Sequence, residues 1–172
     1  SSSIYPFYKV SRMVTPSLER KWRLTTKPSG NKWNIPLPFE IAPFEVKGMI
    51  IFLKEFIEAH QTSLHPEFSV RSSIDMISSK EDDKEILGIS FVVGLPPYDV
   101  GIVQNVEILA IKSTEKDTYS IIINLQRMEG PLIQWTKTNY FFVDAMRRQI
   151  LLWRSLGQRE KFNYIERRAL DV

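Results

Sequence analysis

The sequence contains no cysteine and only two histidines, His60 and His65, among its 172 residues. Without cysteine there are no disulfides, no thiolate catalysis and no cysteine zinc sites. The two histidines, with Glu58 and Glu67 nearby, match no known metal-binding spacing. We therefore predict a chain that uses no metal and no cofactor.

Long apolar runs and glycine motifs are also scarce. No apolar run approaches the roughly 20 residues that a membrane-spanning helix needs. Only seven glycines occur, and none forms a phosphate-binding motif. No Gly-x-Ser-x-Gly elbow is present, and two histidines supply few bases for nucleophilic catalysis. We predict no catalytic residues.

The composition that remains is that of a globular domain. Hydrophobic residues make up 43% and charged residues 25% of the chain, which is long enough to bury one core. Charge is uneven, because residues 1–32 carry a net +6, residues 33–143 a net −6 and residues 144–172 a net +3. Basic ends are suited to an anionic membrane surface or nucleic acid, or to packing against the acidic middle.

The N-terminus begins "SSSIYPFYKV", with no initiator methionine and no signal peptide. We therefore expect a piece of a longer protein. Prolines and a glycine punctuate the start, so residues 1–30 are predicted to be an irregular arm and residues 31–172 a single domain.

Hydrophobic periodicity defines the elements of that domain. Residues 31–41 alternate apolar and polar side chains, and two prolines on the polar face indicate a strand at a sheet edge. Residues 43–60 are predicted to form a helix with an apolar stripe on one side, and Lys54 and Glu58 are spaced to pair on the opposite face. The stripe is Val46, Met49, Ile50, Leu53, Phe56 and Ile57.

Four strand candidates follow, and the first connection is predicted to be a charged, solvated turn over residues 78–85, which includes Lys80 and Glu85. Short connections of this kind favour an antiparallel meander. The four candidates are residues 68–77, 85–95, 101–112 and 117–128.

The chain closes with a second long helix over residues 131–156 and a shorter helical tail. Trp153 lies on its apolar side, whereas Asp144 and Arg148 lie on the side predicted to face solvent. The order β-α-β-β-β-β-α predicts an α+β fold, in which an antiparallel sheet of about five strands carries both long helices on one face.

The segment "GLPPYDVG" joins two of the predicted strands. Its prolines and glycines are typical of a stiff hairpin connection, in which Asp99 hydrogen-bonds nearby N–H groups. Tyr98 is then left as a candidate interface anchor. Tyr98, Asp99, Trp153 and Arg154 are the predicted ligand or interface residues. The last helices contain many arginines, which could contact phosphates. Nucleic acid is nevertheless not a favoured partner, because helical spacing places Trp153 in the apolar stripe rather than on the surface where it could stack on bases.

Three stretches together resemble a known family. They are "NKWNIPLPFEI", "LPPYDVGIVQNVEI" and "FFVDAMRRQILLWRSL", within residues 15–160. The resemblance is to soluble extracytoplasmic domains of FtsX-like (MacB-type) permeases, which lie between membrane helices. It implies a non-enzymatic, membrane-associated, transport-related domain acting through protein–protein contacts. Its partner would be another protein or a flanking membrane domain of the same polypeptide, and no functional residue carries over.

Two other functions stay open at this point. A sheet gripping a long C-terminal helix is also the design of helix-grip carriers, which hold a lipid or small apolar ligand in a cavity between the two. An enzyme of unrecognised type is the third alternative, with Tyr98, Asp99 and the nearest arginine as its first candidates.

Overall fold

The computed structural model describes residues 28–29, 31–64, 69–95, 101–129 and 137–170. The strands are β1 (Pro28–Ser29), β2 (Lys32–Ile41), β3 (Ser69–Val70), β4 (Asp75–Glu81), β5 (Lys84–Leu95), β6 (Ile102–Lys112) and β7 (Tyr119–Glu129). The helices are α1 (Pro43–Leu64), α2 (Lys137–Ser155) and α3 (Gln158–Arg167).

All strands belong to one antiparallel sheet in the order β1-β2-β7-β6-β5, with β4 and β3 both pairing with β5 at the far edge. Strands β4 to β7 form a meander, and α1 carries the chain from β2 to the opposite edge. The first long strand therefore pairs with the last. The predicted α+β class is confirmed, and five of the strands are long. Residues 28–29, inside the arm predicted as irregular, form β1, and the rest of that arm lies outside the described residues.

The β4–β5 hairpin is tighter than the sequence predicts. Strand 68–77 splits into β3 and β4, and the predicted charged turn over residues 78–85 shrinks to Asp82 and Asp83. Both residues have positive φ, 50° and 63°. Two-residue hairpin turns need such angles, and aspartate tolerates them better than most residues.

Strand β2 follows its predicted alternation and lies near a sheet edge. Every second residue from Trp33 to Ile41 is apolar and buried, and the residues between them are exposed. Pro36 and Pro38 lie on the exposed face, and the pairing with β7 shifts register between Leu37 and Glu40. Only the start of β2 pairs with β1, so its outer edge beyond Trp33 has no described neighbour.

The core fills the space between one face of the sheet and the helices. The apolar stripe of α1 is buried as predicted, and Lys54 Nζ lies 3.0 Å from Glu58 Oε1. On the α2 side, the rings of Phe91 and Phe142 meet edge to face, with centroids 6.1 Å apart. The buried stripe of α1 is Val46, Met49, Ile50, Leu53, Phe56 and Ile57.

Helix α2 is buried more completely than the sequence predicts. Asp144, expected to face solvent, is 1% exposed, and Arg147 is also 1% exposed. Asp144 forms an ion pair with Arg148 one turn later. Pairing neutralises a carboxylate that would otherwise resist burial, and for this reason the prediction for Asp144 was wrong.

A buried amide pair joins α2 to the sheet. Gln104 on β6 donates to Asn139 Oδ1 at 2.9 Å, and Asn139 donates back to Gln104 Oε1 at 3.2 Å. Each side-chain amide thus donates one hydrogen bond to the other and accepts one from it. This reciprocal pair fixes the position of α2 along the direction of β6.

Two polar clusters hold α3 against α1. In the first, Glu45 accepts from Trp153 Nε1 at 3.0 Å and forms an ion pair with Lys161 at 3.1 Å. Glu45 lies in the first turn of α1, and Lys161 in α3. All three side chains are buried, so the cluster ties the three helices together away from water.

In the second cluster, Glu55 receives hydrogen bonds from Tyr164 Oη at 2.8 Å and from Arg168 Nε at 2.6 Å. The Arg168 guanidinium also stacks 3.5 Å from the centroid of the Tyr164 ring. Burial opposes ionisation of Glu55, but the hydrogen bonds and charge of its partners outweigh it and hold its pKa below the ordinary value. Burial and the bond to Glu55 raise the pKa of Tyr164, which stays a donor.

Candidate functional site

A row of polar side chains crosses one end of the sheet, on the side that carries the helices. Glu85 on β5 lies opposite Lys80 on β4. Lys112 on β6 pairs with Tyr119 on β7, and it follows directly after Ile111, the partner of Ile86. Pairing register alone therefore brings Lys80, Glu85, Lys112 and Tyr119 side by side.

The start of α1 closes the other side of this row and leaves a cleft of about 600 Å³. We call it the lysine cleft. Lys47 reaches it from α1, which begins at Pro43 on the rim. Its remaining lining residues are Val46, Ser78, Ser79, Lys80, Glu85, Leu87, Lys112 and Tyr119.

Tyr119 and Glu85 form the central hydrogen bond of the lysine cleft. The Tyr119 hydroxyl donates to Glu85 Oε2 at 2.6 Å. Burial, followed by the bond to Glu85 and its charge, raises the pKa of Tyr119 to about 12. The bond from Tyr119 lowers the pKa of Glu85, helped by the charges of Lys112, Lys80 and Lys47. At neutral pH the tyrosine is protonated and the glutamate ionised.

Positive charge exceeds negative charge in the cleft. Among the described residues, three lysines and one glutamate line it, which gives a net charge of +2. Asp117 lies 3.8 Å from Lys112 Nζ and is largely exposed, and including it leaves +1. Ammonium groups bind carboxylates and phosphates through charge-assisted hydrogen bonds. The arrangement is therefore suited to an anionic group.

Trp153 and Arg154, the two predicted ligand or interface residues that the structure describes, lie outside the lysine cleft. Trp153 is fully buried and bonded to Glu45, so its ring is out of reach of a partner. Arg154 is exposed, and its guanidinium carbon lies 5.3 Å from the Phe39 ring centroid, beside a shallow groove along β2. Tyr98 and Asp99 lie outside the described residues. Of the four, Arg154 alone is described at the surface, and its role stays a prediction.

The lysine cleft was missed because its residues are spread from position 43 to position 119. Lys80 and Glu85 were interpreted as part of a solvated charged turn. A signal was nevertheless present. A two-residue turn at Asp82 and Asp83 places Lys80 opposite Glu85, and the β6–β7 hairpin brings Lys112 and Tyr119 together.

The described histidine has a structural role. His60 Nδ1 lies 3.2 Å from the Phe56 carbonyl oxygen, and its ring stacks on the Phe56 ring with centroids 4.6 Å apart. His65 and Glu67 are outside the described ranges. Within those ranges, no three histidine, aspartate or glutamate side chains are grouped to hold a metal ion.

No helix in the described part of the chain is both long and apolar enough to cross a membrane. Comparison with known proteins found no matching family model, and no significantly similar curated protein or solved structure.

Proposed function

We propose that this chain is a non-enzymatic binding domain that docks an acidic segment of a partner protein in the lysine cleft. One observation carries the proposal. Lysines from α1, β4 and β6 converge on a single ionised carboxylate, leaving a surplus of positive charge at an open surface. Complementary charge speeds the encounter of two proteins and selects among partners.

The protonation states of the cleft support binding rather than catalysis. General acids and bases work best with pKa values near the operating pH. The pKa of Tyr119 is about 12, and that of Glu85 is lowered below the ordinary value for glutamate. Both groups are shifted away from neutrality, so neither is tuned to exchange a proton there.

The packing of the core favours this proposal over a carrier of apolar ligands. A helix-grip carrier needs open volume between its sheet and its C-terminal helix. Here Phe91 and Phe142 meet in that space, and Met146, Ile150 and Trp153 on α2 are fully buried. Close packing of this kind is typical of a filled protein core.

The setting of the docking event is part of the same proposal. The resemblance to FtsX-like permease domains suggests a membrane-associated, transport-related assembly. The acidic segment then belongs to another protein or to a flanking domain of the same polypeptide. An anionic membrane surface presents the same charge, and the experiment below separates it from a protein partner.

The test measures binding of a hexaglutamate peptide to the full chain at low and at high ionic strength. We expect binding that weakens with salt, and a loss of about two- to fivefold in affinity for Lys80→Gln, the range of exposed ion pairs. Lys84→Gln is the matched control, because Lys84 is exposed and does not line the cleft. The triple variant of Lys47, Lys80 and Lys112 to glutamine should lose most of the affinity.

Equal affinity of the triple variant and the unmodified chain for hexaglutamate would overturn the proposal. So would an absence of peptide binding together with strong binding to phosphatidylserine vesicles, since that result identifies a membrane surface as the ligand.

A further inference from the structure

Strand β4 forms one edge of the sheet beside the lysine cleft. Among the described strands it pairs only with β5. All of its residues except Ile77 are exposed, including Met76 at 52%. Free strand edges offer unpaired backbone groups to another chain.

The turn that follows β4 fixes which of its backbone groups point outward. The residues that flank a two-residue hairpin turn, here Glu81 and Lys84, form a hydrogen-bonded pair. Bonded and non-bonded pairs alternate along an antiparallel ladder. The N–H and C=O groups of Met76, Ser78 and Lys80 therefore point away from β5.

The side chains of these residues point to the side of the sheet that carries the helices. Ser78 and Lys80 line the lysine cleft. Beyond Met76, a smaller cleft of about 190 Å³ is lined by Ile57, Val70 and Ile74, together with three polar residues. The edge of β4 that has no partner among the described strands thus runs from a basic cleft to a partly apolar one.

The opposite edge of the sheet differs in its sequence. Beyond Trp33, β2 carries Pro36 and Pro38, which have no N–H groups, and its register shifts nearby. Prolines and irregularities protect edges from further pairing. Strand β4 has no proline and pairs with β5 without a register shift.

We infer that the acidic segment binds in extended form, as an added strand along β4. The inference rests on the proposed function and specifies how the segment docks. The stretch from Ile74 to Lys80 spans about 20 Å at about 3.3 Å per residue. A segment of about seven residues covers it, with acidic side chains at the Lys80 end and aliphatic ones at the Ile74 end. Main-chain hydrogen bonds supply affinity in this mode, and alternate side chains supply specificity.

The probe is a seven-residue peptide with glutamate at positions 1 and 3 and valine or threonine elsewhere, so that antiparallel pairing with β4 places both glutamates on the Lys80 side. A second peptide carries the same side chains, but alternate backbone nitrogens are methylated, which keeps the charge and removes strand donors. We expect the full chain to bind the first peptide at least about fivefold more tightly, the order expected when backbone hydrogen bonds are lost. Amide hydrogen exchange should slow at Met76, Ser78 and Lys80 when it binds.

A protein variant tests the same edge from the other side. Ser78→Pro removes an outward N–H without touching the bonds to β5, and Ser78→Ala keeps that N–H as the matched control. Proline should weaken binding of the first peptide about fivefold relative to alanine, which removes the side-chain hydroxyl but keeps the backbone N–H. If the proline variant fails to fold, the comparison of the two peptides still decides.

Two negative outcomes have different meanings. If both peptides bind equally well and the lysine variants still lose affinity, the segment does not bind as an added strand. The lysine cleft then remains a docking site for acidic segments. If the lysine variants bind both peptides and hexaglutamate with the affinity of the unmodified chain, the proposed function itself is wrong.

Discussion

Tyr119, the first residue of β7, donates its hydroxyl to Glu85 on β5 across 2.6 Å, spanning the strand that lies between them. This bond holds the carboxylate beside Lys80 and Lys112 at the end of the sheet. A buried tyrosine thereby fixes the carboxylate of Glu85 among the three lysines that the described residues contribute to the cleft.

The Tyr119 hydroxyl should make stability depend on alkaline pH. Its pKa is about 12 in the folded chain against 10.0 for an unperturbed tyrosine, so the folded state retains the proton longer. Between about pH 10 and 12 the folded state binds more protons than the unfolded state, and stability falls as pH rises.

Urea unfolding of the unmodified chain and of Tyr119→Phe at pH 9 and pH 11 measures this contribution. Phenylalanine should show the smaller loss between the two pH values. Tyr164 contributes equally to both proteins, so its own raised pKa cancels in the comparison. Identical losses would show that Tyr119 titrates normally.

The buried cluster around Glu45 should be worth far more than a surface ion pair on the same helix. Glu45→Ala leaves Lys161 and Trp153 buried without their acceptor, and we expect a loss of about 3 kcal/mol or more. Glu58→Ala breaks only the half-exposed pair with Lys54 and should cost no more than about 0.5 kcal/mol. Chemical denaturation compares the two variants, and similar losses would contradict the burial of the cluster.

Gly48 lets α1 approach α2 and α3 closely. A Cβ atom at this position would lie 2.7 Å from Ile165 Cγ1 and 2.9 Å from Trp153 Cη2. Alanine gains about 1 kcal/mol of helix propensity, but overpacking a core costs about 1–3 kcal/mol. We expect Gly48→Ala to be destabilising and to speed amide exchange in α3.

Gly157→Ala is the matched control for that variant. No atom lies within 4 Å of a Cβ built there, so alanine meets no clash, and its cost should be limited to about 1 kcal/mol for a poorer N-cap of α3. A stabilised Gly48→Ala protein would show that the helices are less tightly packed than the distances indicate.

Periodicity predicted the elements that bury one face. The alternation of β2 and the stripe of α1 each have a regular period and needed no tertiary information. Burial of Asp144 was not predictable in this way, because a charged residue on α2 reads as solvent-facing until its pairing and surroundings are known. Strand limits near Asp82 were also missed, since charge suggested a longer turn than backbone geometry needs.

The lysine cleft depends on long-range register. Along the sequence, most of the strands of the sheet lie between Lys47 and Lys112, so no local pattern connects the two residues. Hairpin pairing alone would have joined Lys80 to Glu85, but only the fold brings α1 over the same end of the sheet. Tyr98 and Asp99, favoured by their local sequence, lie outside the described residues.

Chemical-shift mapping of the full chain titrated with hexaglutamate tests the central claim most directly. The largest amide shifts should occur around Lys47, Lys80 and Lys112, and they should vanish in the triple glutamine variant. Docking in the lysine cleft would be contradicted if the largest amide shifts occurred around the exposed Arg154 and Arg159 and stayed the same in the triple variant.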